Sequence, residues 1–167
     1  GQLRQVGAFH RIADEQQVLG VARVADGAVR VHGLAEVAAQ LPPYPKAENL
    51  VEFNVSSATR NRHFVDTASI SVGEDKVVRY SVVIEAAGGA KNVSFEGMRC
   101  ETGERRLYAY GHPDGTWSKA RSGGWEDIKF RSLLSYHKAL FEDHFCPDGI
   151  NVHDAKEAVR SLRRGAR

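Results

Sequence analysis

The sequence predicts an α+β domain in which an antiparallel meander of four or more strands carries two C-terminal helices on one face. Three observations support this class. Apolar and polar residues alternate with a period of two in four successive segments between residues 63 and 111. Short connections rich in glycine and charged residues separate these segments, as is typical of tight turns. Beyond residue 130 the apolar period becomes that of a helix. An antiparallel sheet commonly buries one face, which the helices would cover.

The first forty residues differ from the rest of the chain in their pattern of apolar and polar residues. The stretch "VARVADGAVRV" alternates about Asp26-Gly27, which favours a hairpin, whereas "LAEVAAQ" after it favours a helix. We therefore interpret residues 1–40 as an N-terminal arm of uncertain structure. The following "LPPYPK" carries three prolines, which lack a backbone donor and stop regular structure. The domain boundary is placed there, and residues 41–167 are predicted to form a single α+β domain.

The four alternating segments are predicted to be consecutive strands. In "HFVDTASISVG" the alternation places Phe64, Ala68, Ile70 and Val72 on one face, and in "VVRYSVVIEA" it places every second residue from Val78 inward. In "NVSFEGMRCE" the apolar parity slips at a glycine, Gly97, which indicates a β-bulge in that strand. The fourth strand is "RRLYAYG".

Two helices are predicted after the sheet. The first has an apolar stripe that ends before Pro147 and Gly149; its members are Leu133, His137, Leu140, Phe141 and His144. The second begins at a capping box formed by Asp154 and Glu157, whose side chains accept bonds from free amides at a helix start. Its buried stripe consists of Ala155, Ala158, Val159 and Leu162.

Histidines and cysteines cluster near the first helix, and three interpretations of them compete. His137, His144, Cys146 and His153 could bind zinc, but the first two lie two helical turns apart, about 10 Å along the axis. Cys146 could be a nucleophile activated by His144. Cys146 could also form a disulfide with Cys100, which would join the sheet to the helical end and restrict the unfolded chain by roughly 4 kcal/mol. The disulfide is the favoured interpretation, and no metal ligand is assigned.

Composition excludes several classes of function. The net charge of +2 is too small to indicate a nucleic-acid partner, and the chain lacks the run of about 18 apolar residues that a membrane-spanning helix requires. No phosphate loop, nucleophile elbow, HExxH or calcium-loop pattern occurs. We therefore assign no catalytic residue and expect no cofactor.

Two stretches carry side chains that suit ligand binding. In "TRNRHF", two guanidinium groups flank an amide and could hold a carboxylate or a phosphate. The alternative is that the amide caps a turn and the arginines pair with strand carboxylates. In "YAYGHPDGTWSKARSGGW", aromatic rings and an arginine suit a glycan or protein partner, unless the tryptophans only close the end of the sheet. The candidate binding residues are Arg60, Asn61, Arg62, Tyr108, Tyr110, Trp117, Arg121 and Trp125.

The motifs "ATRNRHFVD", "VSFEGMRCETGERRLYAYG" and "FCPDG" together resemble the CNP-like family, betaproteobacterial exported envelope proteins of uncharacterised function. The resemblance runs from Leu41 to Gly165. It implies residence in the periplasm or at the outer envelope, soluble or lipid-anchored, after removal of a signal peptide, and it favours the Cys100–Cys146 bond. It implies no catalytic residue.

We therefore expect a binding or interaction module whose partner is a protein or another envelope component, with the oligomeric state left open. The alternative is a metal-binding protein or hydrolase that uses His137, His144 and His153.

Overall fold

A computed structural model describes residues 36, 38–121 and 124–165 of the chain. Nearly all of them belong to one compact unit, Ala39–Arg167. The predictions for the N-terminal arm lie outside the described residues, apart from the few residues next to the proline-rich segment. In the described part of the chain, no helix has both the length and the apolar character needed to cross a membrane.

The described residues form one antiparallel sheet of seven strands, which confirms the predicted meander and extends it. The first six strands follow each other in chain order across the sheet. The short strands β6 and β7 both pair with β5, β6 at its C-terminal end and β7 at its N-terminal end. The strands are β1 (Leu50–Phe53), β2 (Arg62–Val72), β3 (Val78–Glu85), β4 (Lys91–Arg99), β5 (Glu104–Gly111), β6 (Trp117–Lys119) and β7 (Glu126–Asp127).

Glycine permits the turns at both ends of β4. Gly89, between β3 and β4, has a φ of +94°, and Gly103, between β4 and β5, has a φ of +67°. L-residues with a Cβ rarely adopt this left-handed region, so glycine suits both positions. These two turns keep β3, β4 and β5 adjacent, and the candidate site depends on this adjacency.

Two short helices follow the sheet, as predicted. Helix α1 (Tyr136–Leu140) starts at Ser135, whose side chain accepts a bond from the Lys138 amide, and continues as a π-helical turn (Phe141–Phe145). Leu133 lies before this helix and is exposed, so its predicted place in the buried stripe is wrong. Helix α2 spans Ala155–Gly165.

The start of α2 has the predicted cap. Asp154 Oδ1 accepts a bond from the Glu157 amide at 2.9 Å, and the Glu157 carboxylate accepts one from the His153 amide at 2.7 Å. These bonds satisfy two donors at the helix start. Downstream, Ala158 and Leu162 are fully buried, which confirms the predicted stripe.

The main core lies between the sheet and the helices. Tyr80 of β3 packs on Phe145 with ring centroids 4.7 Å apart, and both residues are fully buried. The Cys100–Cys146 disulfide crosses the same core and joins the end of β4 to the end of the π-helical turn, with its Cα atoms 5.3 Å apart. The favoured interpretation of the cysteines is therefore confirmed.

The other face of the sheet has a smaller aromatic cluster. Phe95 of β4 contacts both Tyr108 and Trp117, and Trp117 also contacts Tyr44. The Trp117 indole donates a hydrogen bond to the carbonyl of Pro42 at 3.0 Å. The proline-rich segment is thus part of the domain's packing as well as its boundary.

Strand β2 contains an irregularity that the alternation did not predict. Asp66 pairs with Ser81, but the next pair is Ser71 with Arg79, so β2 has three more residues than β3 in this interval. The predicted common face of β2 is therefore wrong: Ala68 is exposed, whereas Val65 is fully buried. Polar side chains within the bulge satisfy its backbone; Asp66 Oδ1, for example, accepts a bond from the Ala68 amide at 3.0 Å.

The predicted bulge at Gly97 lies instead on the neighbouring strand. Strand β4 pairs with β3 without interruption, so Gly97 keeps its place in the alternation. Between β4 and β5, Phe95 pairs with Ala109 and the next residue, Glu96, pairs with Leu107. The extra residue is therefore Tyr108 of β5. A Cβ atom at Gly97 would lie 2.8 Å from the Tyr108 ring, so glycine leaves room for that ring.

Candidate functional site

The helices leave one end of the sheet open. Helix α2 packs against β1 and β2, and the first residues of α1 reach β4. The same face continues over β5, β6 and β7, where a groove of 460 Å³ is open to solvent. Two features of this region are candidates for a functional role. One is a buried carboxylate at the edge of the area that the helices cover, and the other is the groove itself.

The buried carboxylate belongs to Glu96 of β4, which is 3% exposed. Its Oε1 atom accepts hydrogen bonds from the Tyr80 hydroxyl at 3.2 Å and from His137 Nε2 at 2.8 Å. Its Oε2 atom accepts bonds from the Ser94 hydroxyl at 2.7 Å and from the Tyr136 hydroxyl at 2.5 Å. Each oxygen thus has two donors, and the carboxylate ties the start of α1 to the sheet.

Electrostatics keep this group ionised and its neighbours protonated. Burial alone would raise the pKa of Glu96, but attraction to His137 and the bonds from His137, Tyr136 and Ser94 outweigh it and lower the pKa below the ordinary value. Burial, together with the negative charge of Glu96, holds the pKa values of Tyr80 and Tyr136 well above that of a free tyrosine. Both hydroxyls therefore act as hydrogen-bond donors.

The bulge at Tyr108 shapes the floor of the groove. Tyr108 packs on Phe95 and over Gly97, on the side of the sheet away from the helices. The extra residue shifts the alternation, so Leu107 and Tyr110, three positions apart, both line the groove. Tyr110 is 50% exposed and presents its ring to solvent.

The register of β4 and β5 places the groove beside the Glu96 cluster. Leu107 lies opposite Glu96, and Tyr110 lies opposite Ser94. Residues directly opposite each other in an antiparallel pair project from the same face. One wall of the groove therefore lies directly beside the hydrogen-bonded cluster.

The groove carries a net positive charge. Arg105 and Arg121 line it together with one acidic residue, Glu126, and Arg105 pairs with Glu126 at 2.9 Å. Lys119 borders the groove, but it lies opposite Ala109, which lies opposite Phe95, so its side chain projects from the other face of the sheet. Among the described residues, Arg121 forms no ion pair and is exposed. One positive charge is thus left for a ligand.

The structure places the first predicted binding stretch elsewhere. Arg62 pairs with Glu52 at 2.9 Å and with Glu85 at 3.6 Å, at the β1–β2 side of the sheet. The backbone amide of Asn61 donates to the Thr59 hydroxyl, so the side chain of Thr59, and not that of Asn61, caps this turn. The ion pairs of Arg62 match the structural alternative for "TRNRHF", whereas Arg60 is exposed.

The second predicted stretch divides between two locations. Tyr110 and Arg121 line the groove. Tyr108 and Trp117 belong to the aromatic cluster on the opposite face, and Trp125 stacks on the Arg99 guanidinium 4.1 Å from its ring centre. The tryptophans thus have packing roles.

The predicted histidine group is dispersed. His137 bonds to Glu96, and His144 Nδ1 lies 2.8 Å from the Ser161 hydroxyl. Burial lowers the pKa of His144, which favours its neutral form. His153 is exposed, and Cys146 is held in the disulfide. Among the described residues, no three histidine, cysteine, aspartate or glutamate side chains gather closely enough to hold a metal ion.

Sequence reasoning missed Glu96, Arg105 and Leu107. A signal for Glu96 existed: strict alternation from Ser94 to Met98 places it on the inward face. Interpreting Gly97 as a bulge removed that signal, because it reassigned the faces of the strand.

The fold and the site define a class: a disulfide-linked α+β domain with a cationic groove at the end of the sheet that the described helices leave uncovered. A family model, the CNP1-like family, matches residues 31–163. The chain belongs to the CNP1-like family. No curated protein and no solved structure matches the chain.

Proposed function

We propose that this chain is a non-catalytic binding domain that works outside the cytoplasm, in the periplasm or at the outer envelope. The compartment is inferred from one observation, the disulfide between Cys100 and Cys146. These residues are 7% and 1% exposed, and the bond links the sheet to the helical end within the core. Disulfides of this kind persist in oxidising compartments and are rare in the cytosol. The resemblance to betaproteobacterial exported proteins supports the same compartment and a signal peptide in the precursor.

The binding role is supported by the contrast between the two features of the site. Both oxygens of the Glu96 carboxylate are occupied by donors from its own chain, so this group ties α1 to the sheet. In the part of the chain that the structure describes, the groove beside it is open and the exposed Arg121 forms no ion pair. A protein or another envelope component with negative charge would complement this surface.

Cell fractionation tests the compartment. The full-length precursor is expressed in a Gram-negative host, and its periplasmic, membrane and cytosolic fractions are separated, denatured and treated with a maleimide, with and without prior reduction. We expect the mature protein in the periplasmic or membrane fraction, labelled at its cysteines only after reduction. Protein in the cytosolic fraction whose two thiols are labelled without reductant would contradict the proposal.

A second candidate is metal binding or hydrolysis through His137, together with His144 and His153. The observation that favours it is the Glu96–His137 pair at 2.8 Å, because a carboxylate commonly fixes the orientation of a working imidazole. Elemental analysis of protein purified without a histidine tag or chelator tests it. Stoichiometric zinc that is lost in His137→Ala would favour this candidate over the binding domain.

A further inference from the structure

We propose that the groove over β5 binds a small sugar ring that carries a carboxylate or a phosphate. This inference rests on the proposed binding function and names the chemical class of its ligand. The shape of the groove, its charge and its exposed aromatic ring each contribute a separate argument.

The dimensions of the groove favour a small ligand over a peptide. β7 covers Glu104 and Arg105, and β6 covers the strand from Ala109, so only Arg106–Tyr108 lie between the two pairings. Three residues of a strand span about 10 Å. An added peptide strand needs a longer free edge than this. The volume of 460 Å³ falls within the range of about 300–1,000 Å³ typical of small-molecule sites.

The charge of the groove favours an anion. Arg105 is neutralised by Glu126, and this ion pair fixes the guanidinium at the base of the groove. Arg121, which forms no ion pair among the described residues, remains to contact the ligand. Its planar guanidinium suits one carboxylate or phosphate, which accepts two parallel charge-assisted hydrogen bonds from it.

The exposed aromatic ring favours a ligand with a flat apolar face. Tyr110 is half exposed in the floor of the groove, and Leu107 lies beside it. Such a ring offers an apolar face for stacking and a hydroxyl for hydrogen bonding. The C–H face of a pyranose matches the ring, while its hydroxyls match Ser118 and the backbone at the groove wall. A sugar with an acidic substituent satisfies the tyrosine ring and the arginine together.

Isothermal titration of the disulfide-intact protein tests the proposal with four probes: digalacturonate, glucose-1-phosphate, lactose and inorganic phosphate. We expect binding of one or both of the anionic sugars, with the stronger of the two showing whether the site prefers a carboxylate or a phosphate. Binding weakens as salt concentration rises, because Arg121 is exposed. Lactose and inorganic phosphate are expected to bind at least tenfold more weakly than the preferred anionic sugar.

Variants locate the binding. Arg121→Gln is expected to weaken it about tenfold, and Tyr110→Ala about fivefold, whereas Tyr110→Phe keeps the ring and most of the affinity. Lys119→Gln is expected to change it little, because the register directs that side chain to the other face of the sheet. Arg163→Gln is the matched control, because it removes an exposed cation from α2, the helix that packs on β1 and β2. Unchanged melting temperatures show that each variant is folded.

Four results would each overturn the inference: equal affinity for lactose, equal affinity for inorganic phosphate, binding that none of the groove variants changes, and failure of all four probes to bind. None of these outcomes contradicts the proposed function, which the fractionation experiment tests separately. A periplasmic domain with its disulfide intact could still bind another ligand. A reduced cytosolic protein would instead remove the proposed function itself.

Discussion

Glu96 shows how one residue fixes the position of a helix. A buried carboxylate is costly unless its charge is paired and its oxygens are hydrogen-bonded. Glu96 meets both conditions through Tyr80, Ser94, Tyr136 and His137. Two of these donors start α1, so the helix cannot slide along the sheet without leaving the charge unsatisfied. We infer that the cluster gives α1 a unique position at the edge of the groove.

Removing the charge of Glu96 should therefore destabilise the fold. We expect Glu96→Gln to lower the free energy of unfolding by about 3 kcal/mol, because an amide cannot accept all four bonds and its NH₂ group faces other donors. Tyr136→Phe, which removes one donor, should cost about 1–2 kcal/mol. Urea titration followed by circular dichroism measures both. Glu48→Gln, the same change at an exposed glutamate, is the control. A Glu96→Gln protein as stable as this control would show that the cluster contributes nothing to stability.

The same residue should make stability depend on pH. The pKa of Glu96 is lower in the folded chain than in the unfolded chain, so the unfolded state binds more protons as the pH falls. The contribution of Glu96 is thus complete above its unfolded pKa, which is near the ordinary value of 4.5, and is lost as the pH falls through the folded pKa. The difference in unfolding free energy between the wild type and Glu96→Gln should therefore shrink between pH 6 and pH 3. A difference that stays constant or grows would contradict the lowered pKa.

At the scale of the element, alternation predicted the strands better than it predicted their faces. The segments from β2 to β5 and the turn at Gly89 follow from local pattern, because strand period and turn residues act over a few positions. The faces depend on bulges, which cross-strand pairing decides. The alternation of β2 breaks within the Asp66–Ser71 interval, and that of β5 breaks at Tyr108. Each bulge depends on a neighbouring strand that the local sequence does not reveal.

Gly97 and Tyr108 should therefore be coupled across the two strands. We expect Gly97→Ala to cost about 1–2 kcal/mol of stability, since the new Cβ would lie 2.8 Å from the Tyr108 ring and the ring must move. In a Tyr108→Ala background the same change should cost much less. Thermal unfolding of the four proteins gives the coupling energy. Gly88→Ala is the control, because nothing lies within 4 Å of its added methyl group. Additive effects of the Gly97 and Tyr108 changes would contradict this packing.

At the scale of the whole molecule, the sequence predicted which parts join but not where a surface remains open. The α+β class, the order of sheet and helices, and the Cys100–Cys146 link followed from period, turns and cysteine count. The groove did not, because its existence depends on how far α1 and α2 extend over the sheet. Of the predicted binding residues, Tyr110 and Arg121 line it, whereas Arg62 and Trp117 have structural partners. Composition selects residue types that suit a ligand, but packing decides which of them remain available.

The disulfide should contribute to the stability of the entire domain, because it joins its two layers. The link spans 46 positions of sequence, and closing a loop of that length restricts the unfolded chain by about 4 kcal/mol in the chain-entropy description. We expect Cys100→Ser and Cys146→Ser each to lower the free energy of unfolding by roughly that amount, and the double variant to be no less stable than either. Urea titration measures all three, with wild-type protein reduced by a phosphine as the control for the serine side chains. Because either single change already opens the same loop, the second has no further link to remove. If the losses of unfolding free energy in the two single variants add up in the double variant, each sulfur stabilises the core separately. The bond would then not hold the helical layer against the sheet.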